Sequence, residues 1–127
     1  MIIGVGCDIV DHELCRKLNW DSDPKVLKRV FSESELAIYN SKKELKFIAG
    51  RFAAKEAVLK SLGVGMEDGI SLTDIEVLQS GNGKPEVKMG GSMKVIVEKL
   101  GVKHIHISIS HSANSSIAYV IAESKNS

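Results

Sequence analysis

The segment that most constrains this chain is an amphipathic stretch in its middle. Leu45, Ile48, Phe52, Leu59 and Leu62 recur at three- and four-residue steps, which marks a helix with one core-facing side. The pattern predicts a helix from about Lys42 to Leu62, stopped at Gly63. A stripe of that length has to lie on something apolar, so the rest of the chain must supply a layer for it. One position of the stripe is wrong for that purpose. At about 100° per residue, Lys55 falls inside the stripe, Glu56 at its margin, and Lys60 one turn beyond Glu56. A charge taken from water must be paired or hydrogen-bonded. Two arrangements meet that demand: a site of chemistry, or a buried structural ion pair.

The opening residues supply the layer. Residues 2 to 9 read as an apolar, β-branched strand in which Gly4 and Gly6 remove side chains from one face. Alternation puts Asp8 on the glycine face, away from Ile3, Val5 and Cys7. The expectation is a carboxylate on a bare, accessible face, with Cys7 buried on the other. Asp8 can also be no more than an N-cap, since either it or Asp11 could cap a helix beginning near His12 and running to about residue 19.

Turn and cap signals divide the remainder. Asp23-Pro24 starts a helix through about Phe31, and Ser32 with Glu35 forms a capping box for the next. Strands are predicted at about 72–79 and 84–89 around the Asn82-Gly83 turn, then a helix capped by Ser92 and stopped by Gly101. Two last strands, about 103–110 and 115–122, meet near Ser112 to Asn114. In the first of them His104, His106, Ser108 and Ser110 alternate with Ile105, Ile107 and Ile109, so a polar row faces away from the core. That row is either a plain half-solvated surface or part of a site. The sum is an α+β fold, helices packed on a largely antiparallel sheet, in one domain of 127 residues.

A formal net charge of +1 argues against bulk nucleic-acid binding, which needs a broad basic face. Two cysteines, Cys7 and Cys15, are too few for a disulfide framework and lack metal-ligand spacing. No apolar run is long enough to span a membrane, and no basic region leads a secretory segment, so a cytoplasmic location is expected.

Four stretches, taken together and in order, resemble one family. They are Ile3-Gly4-Val5-Gly6-Cys7-Asp8-Ile9-Val10, Ala49-Gly50-Arg51-Phe52-Ala53-Ala54-Lys55-Glu56-Ala57, Asp74-Ile75-Glu76-Val77 with Asn82-Gly83-Lys84-Pro85, and His106-Ile107-Ser108-Ile109-Ser110-His111. They resemble the holo-acyl-carrier-protein synthases, the small type of phosphopantetheinyl transferase, over residues 1 to about 122. The resemblance implies a Mg²⁺-dependent enzyme of fatty acid biosynthesis. It would move the 4′-phosphopantetheine arm of coenzyme A to a serine of apo acyl carrier protein and release adenosine 3′,5′-bisphosphate. It also implies that Asp8 and Glu56 hold the metal and that Lys60 contacts the pyrophosphate, the three forming the catalytic group. Attack on a pyrophosphate needs its oxygens neutralised, which Mg²⁺ does when a few carboxylates hold it and phosphate completes its shell.

No Walker-type glycine loop is present, so side chains must grip the phosphates. Lys42, Lys43, Lys46 and Arg51 are the candidates, and the resemblance favours Arg51, then Lys43; a solvated helix start is the ordinary reading of any one of the lysines. It further implies coenzyme A contacts at Gly83, Pro85 and His106, although Gly83-Lys84-Pro85 also reads as a plain hairpin turn; Gly63, a small residue at the end of the helix, would let the ligand approach. His111 reads as a packing residue. The carrier protein is acidic, and Arg16, Lys25, Lys28 and Arg29 are the basic residues that could dock it. Relatives usually carry an arginine where this chain has Leu14, with Arg16 two positions on. Trp20 is either an interface anchor or a packing residue. Finally, the resemblance implies a homotrimer with active sites at subunit interfaces. A module that binds coenzyme A but does not transfer the arm is the non-enzymatic alternative.

Overall fold

The computed structural model describes residues 1–124. A strand β1 (Ile2–Asp11) leads into α1 (His12–Lys17), α2 (Pro24–Val30), α3 (Glu33–Lys42) and the long α4 (Leu45–Leu62). After two single 3₁₀ turns come β2 (Ile75–Gln79), β3 (Pro85–Met89), α5 (Gly91–Leu100), β4 (Val102–His111) and β5 (Ser115–Ser124). Strands β1, β5 and β4 form an antiparallel three-stranded sheet in that order, and β2 and β3 a separate antiparallel pair. The fold is therefore the mixed helix and antiparallel-sheet type that the sequence pattern predicts.

The centre of the molecule is the contact of α4 with the inner face of the three-stranded sheet. That face carries Gly4, Gly6, Asp8 and Val10 of β1, and Ser116, Ala118, Val120 and Ala122 of β5. Against it lie Ala53, Ala54, Ala57 and Val58 of α4, all fully buried. Small residues on both sides bring backbone to backbone. A Cβ at Gly4 would stand 1.8 Å from the Ser61 carbonyl oxygen, and one at Gly6 1.9 Å from that of Ala57. The glycine face of β1 is thus the covered face, contrary to the bare and accessible surface expected. By the same alternation Ile3, Val5, Cys7 and Ile9 point outward and are exposed, so Cys7 is not a buried residue. With Ile117 and Tyr119 they leave an apolar patch on the outer side of the sheet.

Local signals explain where the elements start and stop, and where the predicted bounds differ. Asp11, not Asp8, caps α1 by accepting from Glu13 N–H at 2.9 Å. Asp23 caps α2, and the Ser32/Glu35 capping box is present at α3. The long helix begins at Leu45 rather than Lys42, because Lys43 adopts a left-handed conformation (φ 55°) and ends α3 first. Residues 72–74 form a 3₁₀ turn, so β2 starts only at Ile75. Gly90 takes the N-cap position of α5, and Asp74 supplies the missing acceptor by receiving the Ser92 N–H and O–H at 3.0 and 2.8 Å.

The charge inside the apolar stripe is resolved as structure. Lys55 is fully buried, and its three N–H groups donate to Glu35 Oε1 (2.7 Å), Leu72 O (2.9 Å) and Ile75 O (2.6 Å). Glu35, also fully buried, accepts further bonds from the Ser32 and Val77 backbone N–H groups. One ion pair thereby ties α3, α4 and β2 together. Burial draws the Lys55 ammonium below the usual lysine range, and the Glu35 carboxylate opposes that shift.

Two substitutions test this packing by urea unfolding. Glu35→Ala strands a buried ammonium and is expected to cost about 3–5 kcal/mol. Gly6→Val forces backbone apart and is expected to cost at least about 1–3 kcal/mol. Lys60→Ala, on the exposed side of α4, should leave the midpoint nearly unchanged; equal losses in all three would contradict the account.

Candidate active site

Because β1 lies so close to α4, Asp8 meets the helix one turn from its end. Lys60 Nζ donates to Asp8 Oδ1 at 3.0 Å and to the Cys7 carbonyl at 3.1 Å. Glu56, one turn earlier on α4, lines the same cavity as Asp8, about 550 Å³ in volume. Its other walls include Leu14, Trp20 and Phe52, with the Trp20 and Phe52 rings edge to face at 4.4 Å. The two carboxylates feel each other. Burial raises the Glu56 carboxyl above its usual range, the negative charge of Asp8 raises it further, and Lys60 opposes both. The hydrogen bond to Asp8, then its charge, raises the Lys60 ammonium.

Two carboxylates from different elements in one half-open pocket suit a hard cation that keeps part of its shell for other oxygens. Among the described residues no group of three or more His, Cys, Asp or Glu could hold a metal.

A second cavity, about 390 Å³, opens beside the start of α4 and is lined by Lys42, Lys46, Arg51 and His111 together with Tyr39 and Phe47. Arg51 is only 7 % exposed, lies 4.3 Å over the Phe47 ring, and leaves its Nε buried without a hydrogen-bond partner. Glu44 also lines this cavity, 3.4 Å from Lys46, but Lys42, Lys46 and Arg51 outnumber it, so the pocket carries a net positive charge that suits an anion. Lys43 is not part of this wall; its ammonium sits 5.7 Å over the Tyr39 ring. His111, expected only to pack, does line it, because β4 runs one residue further than predicted and carries the imidazole to the cavity rim.

A third cavity, about 310 Å³, lies between β3 and β4 and brings His106 together with Lys84 and Pro85, from which a whole helix, α5, separates it in the sequence. His106 Nε2 pairs with Glu123 Oε1 at 2.9 Å, and that bond lowers the Glu123 carboxyl. Gly83 sits in the exposed turn at φ 84°, and Gly63 caps α4 at φ 69°; both conformations favour glycine. Neither lines one of these three cavities.

The basic residues of the first helices are on the surface. Lys25, Lys28 and Arg29 are exposed on α2, and Arg16 pairs with Glu13 at 3.3 Å. Leu14 is a wall of the Asp8/Glu56 cavity, whereas Arg16 is not.

Comparison with known proteins places this chain in a family. The profile of the 4′-phosphopantetheinyl transferase superfamily matches residues 4–121. A holo-[acyl-carrier-protein] synthase of Syntrophus aciditrophicus is 42% identical over 125 residues, covering 97% of both chains. Among solved structures, the holo-[acyl-carrier-protein] synthase of Neisseria meningitidis superposes with a TM-score of 0.89 at 31% identity, covering 97% of this chain and 99% of that one. A holo-(acyl-carrier-protein) synthase from Bacillus anthracis in complex with CoA (3′,5′-ADP) gives 0.81 at 34% identity, over 98% and 99% of the two chains.

The raised Glu56 carboxyl has a measurable sign. Its folded pKa exceeds the unfolded value of about 4.3, so between the two the native state holds a proton that the unfolded chain has lost. Stability should therefore fall as pH rises through that mildly acidic window. Glu56→Gln should flatten the decline and raise the melting temperature at neutral pH. Superimposable melting-temperature profiles for the two proteins would refute the assignment.

Proposed function

This chain belongs to the 4′-phosphopantetheinyl transferase superfamily, among its holo-acyl-carrier-protein synthases, and we propose that its site runs the Mg²⁺-dependent transfer outlined by the motifs. The 4′-phosphopantetheine arm of coenzyme A passes to a serine hydroxyl of apo acyl carrier protein. The serine–phosphorus bond forms as the pyrophosphate bridge breaks, and adenosine 3′,5′-bisphosphate leaves. The observation that carries this reading is the meeting of Asp8 and Glu56 in one cavity with Lys60 bound to Asp8.

In this reading Asp8 and Glu56 are the residues that would hold Mg²⁺, and the chemistry the ion would supply is neutralisation of charge on the pyrophosphate oxygens. Lys60 is within reach of the same phosphates and stabilises the departing negative charge. Glu56 would orient the serine hydroxyl through a water held at the same site, and that water would take its proton. Arg51, with Lys42, Lys46 and His111, receives a phosphate of the nucleotide, and the Pro85/His106 groove takes another part of coenzyme A. The exposed bases of α2 face the acidic carrier, and Leu14 and Trp20 are apolar walls of the cavity that its serine must enter.

Neither Arg51 nor His106 lines the cavity of Asp8 and Glu56. A neighbouring copy that contributes them would complete the site, and the apolar outer face of β1 and β5 supplies the surface for such an assembly. We take the assembly to be a homotrimer and the setting to be cytoplasmic fatty acid synthesis, in one domain spanning residues 1–127. No described helix is long and apolar enough to cross a membrane.

Mass spectrometry tests the reaction: with coenzyme A and Mg²⁺, an apo carrier protein should gain one phosphopantetheine arm. Asp8→Ala and Glu56→Ala should each lower kcat roughly a hundredfold or more, and a chelator should silence the wild type. Tight coenzyme A binding with no transfer to any of several carriers would instead favour the binding module. Sedimentation should give three copies, and Val5→Lys on the apolar face should dissociate them.

A further inference from the structure

The inner row of the sheet ends in a chain of polar side chains rather than in core. Ser116 of β5 is fully buried and sits between Val10 of β1 and His111 of β4 in the register. Its Oγ is 2.8 Å from His12 Nε2 and 2.7 Å from His111 Nδ1. His12 is itself 5 % exposed, and its backbone N–H donates to the Asn114 carbonyl at 2.8 Å, which fixes the head of α1 against the β4–β5 turn. On its other side the His111 ring rests on Gly50, where a Cβ would come within 2.7 Å of Cε1. The imidazole is therefore gripped from two directions. With Nδ1 engaged by Ser116, Nε2 is the nitrogen left for the cavity that His111 lines with Lys42, Lys46 and Arg51.

We propose that His12 and Ser116 are positioning residues that orient His111 so that its Nε2–H donates to a phosphate group of coenzyme A in the Arg51 cavity. The inference rests on the reading of that cavity as a nucleotide phosphate site. A serine hydroxyl has one proton, so two imidazoles can share it only in sequence. For Nε2 of a neutral His111 to be the donor, His12 Nε2–H donates to Ser116 Oγ, and Ser116 O–H donates to His111 Nδ1. Burial, and then Lys46, His12 and Arg51 nearby, lower the His111 pKa against the weaker pull of Glu44, a direction that favours the neutral ring. No motif of the sequence marks His12 or Ser116. They lie 104 residues apart and meet only where α1 docks on the end of β5.

Three measurements on the full-length protein decide the matter. The ¹⁵N chemical shifts of His111 should show a single Nε2–H tautomer in the wild type, and a mixture in Ser116→Ala. Adenosine 3′,5′-bisphosphate, titrated calorimetrically, should bind about five- to tenfold more weakly to Ser116→Ala and to His12→Leu. In transfer assays KM for coenzyme A should rise likewise while kcat stays within about twofold. Arg51→Ala serves as the reference. If it weakens the nucleotide while both relay variants, folded by circular dichroism, bind as the wild type does, the relay is refuted and the phosphate cavity stands. If Arg51→Ala has no effect either, the cavity reading fails and the inference falls with it. An Nδ1–H tautomer in the wild type overturns the proposed direction without any variant.

Discussion

Backbone-to-backbone contact between β1 and α4 is the constraint on which the rest of this structure depends. Gly4 and Gly6 leave no room for a Cβ beneath the Ser61 and Ala57 carbonyls, and alanines fill the facing surfaces. At ordinary helix–sheet spacing a short aspartate on β1 would fall well short of the helix. At this spacing it meets Lys60 at 3.0 Å and shares a pocket with Glu56. Tight packing and the proposed chemistry are thus one feature: the residues that let the core close are those that aim the carboxylate.

Two lysines on α4 show how burial divides similar charges between two tasks. Lys55 is wholly enclosed, with every N–H paired, and removal of its partner leaves a charge that the interior cannot solvate. Lys60 is more than half exposed, so its pair with Asp8 adds little stability in water. It remains free to exchange the aspartate for a phosphate oxygen. The same logic sets Arg51 apart from Lys42 and Lys43: a nearly buried guanidinium at the wall of a cavity of net positive charge suits an anion, whereas exposed ammonium groups are satisfied by solvent.

A single copy of the chain holds these groups in separate pockets. Two carboxylates and Lys60 lie at the β1/α4 edge, while the nearly buried arginine lies at the head of α4 and the Pro85/His106 groove at the far edge of the sheet. Apolar residues cover the outward side of β1 and β5, a surface that favours association over exposure to water. Assembly and site completion follow from the same geometry in the proposed trimer.

What the sequence determined by itself was whatever local periodicity and capping encode. The 3.6-residue stripe of α4 with its misplaced charge, the alternation of β1 and β4, the Ser32/Glu35 box and the stops at Gly63 and Gly101 were all legible, as was the family carried by the ordered motifs. Tertiary structure alone decided which face of β1 is covered, since alternation separates two faces but cannot say which one a helix will occupy. It also decided that Lys55 is structural, because its partner Glu35 lies twenty residues away on another helix. The link from His12 through Ser116 to His111 belongs to the same class. Hydrogen bonds act over about 3 Å and are blind to sequence separation, so contacts between distant segments exist only once the chain has folded around them.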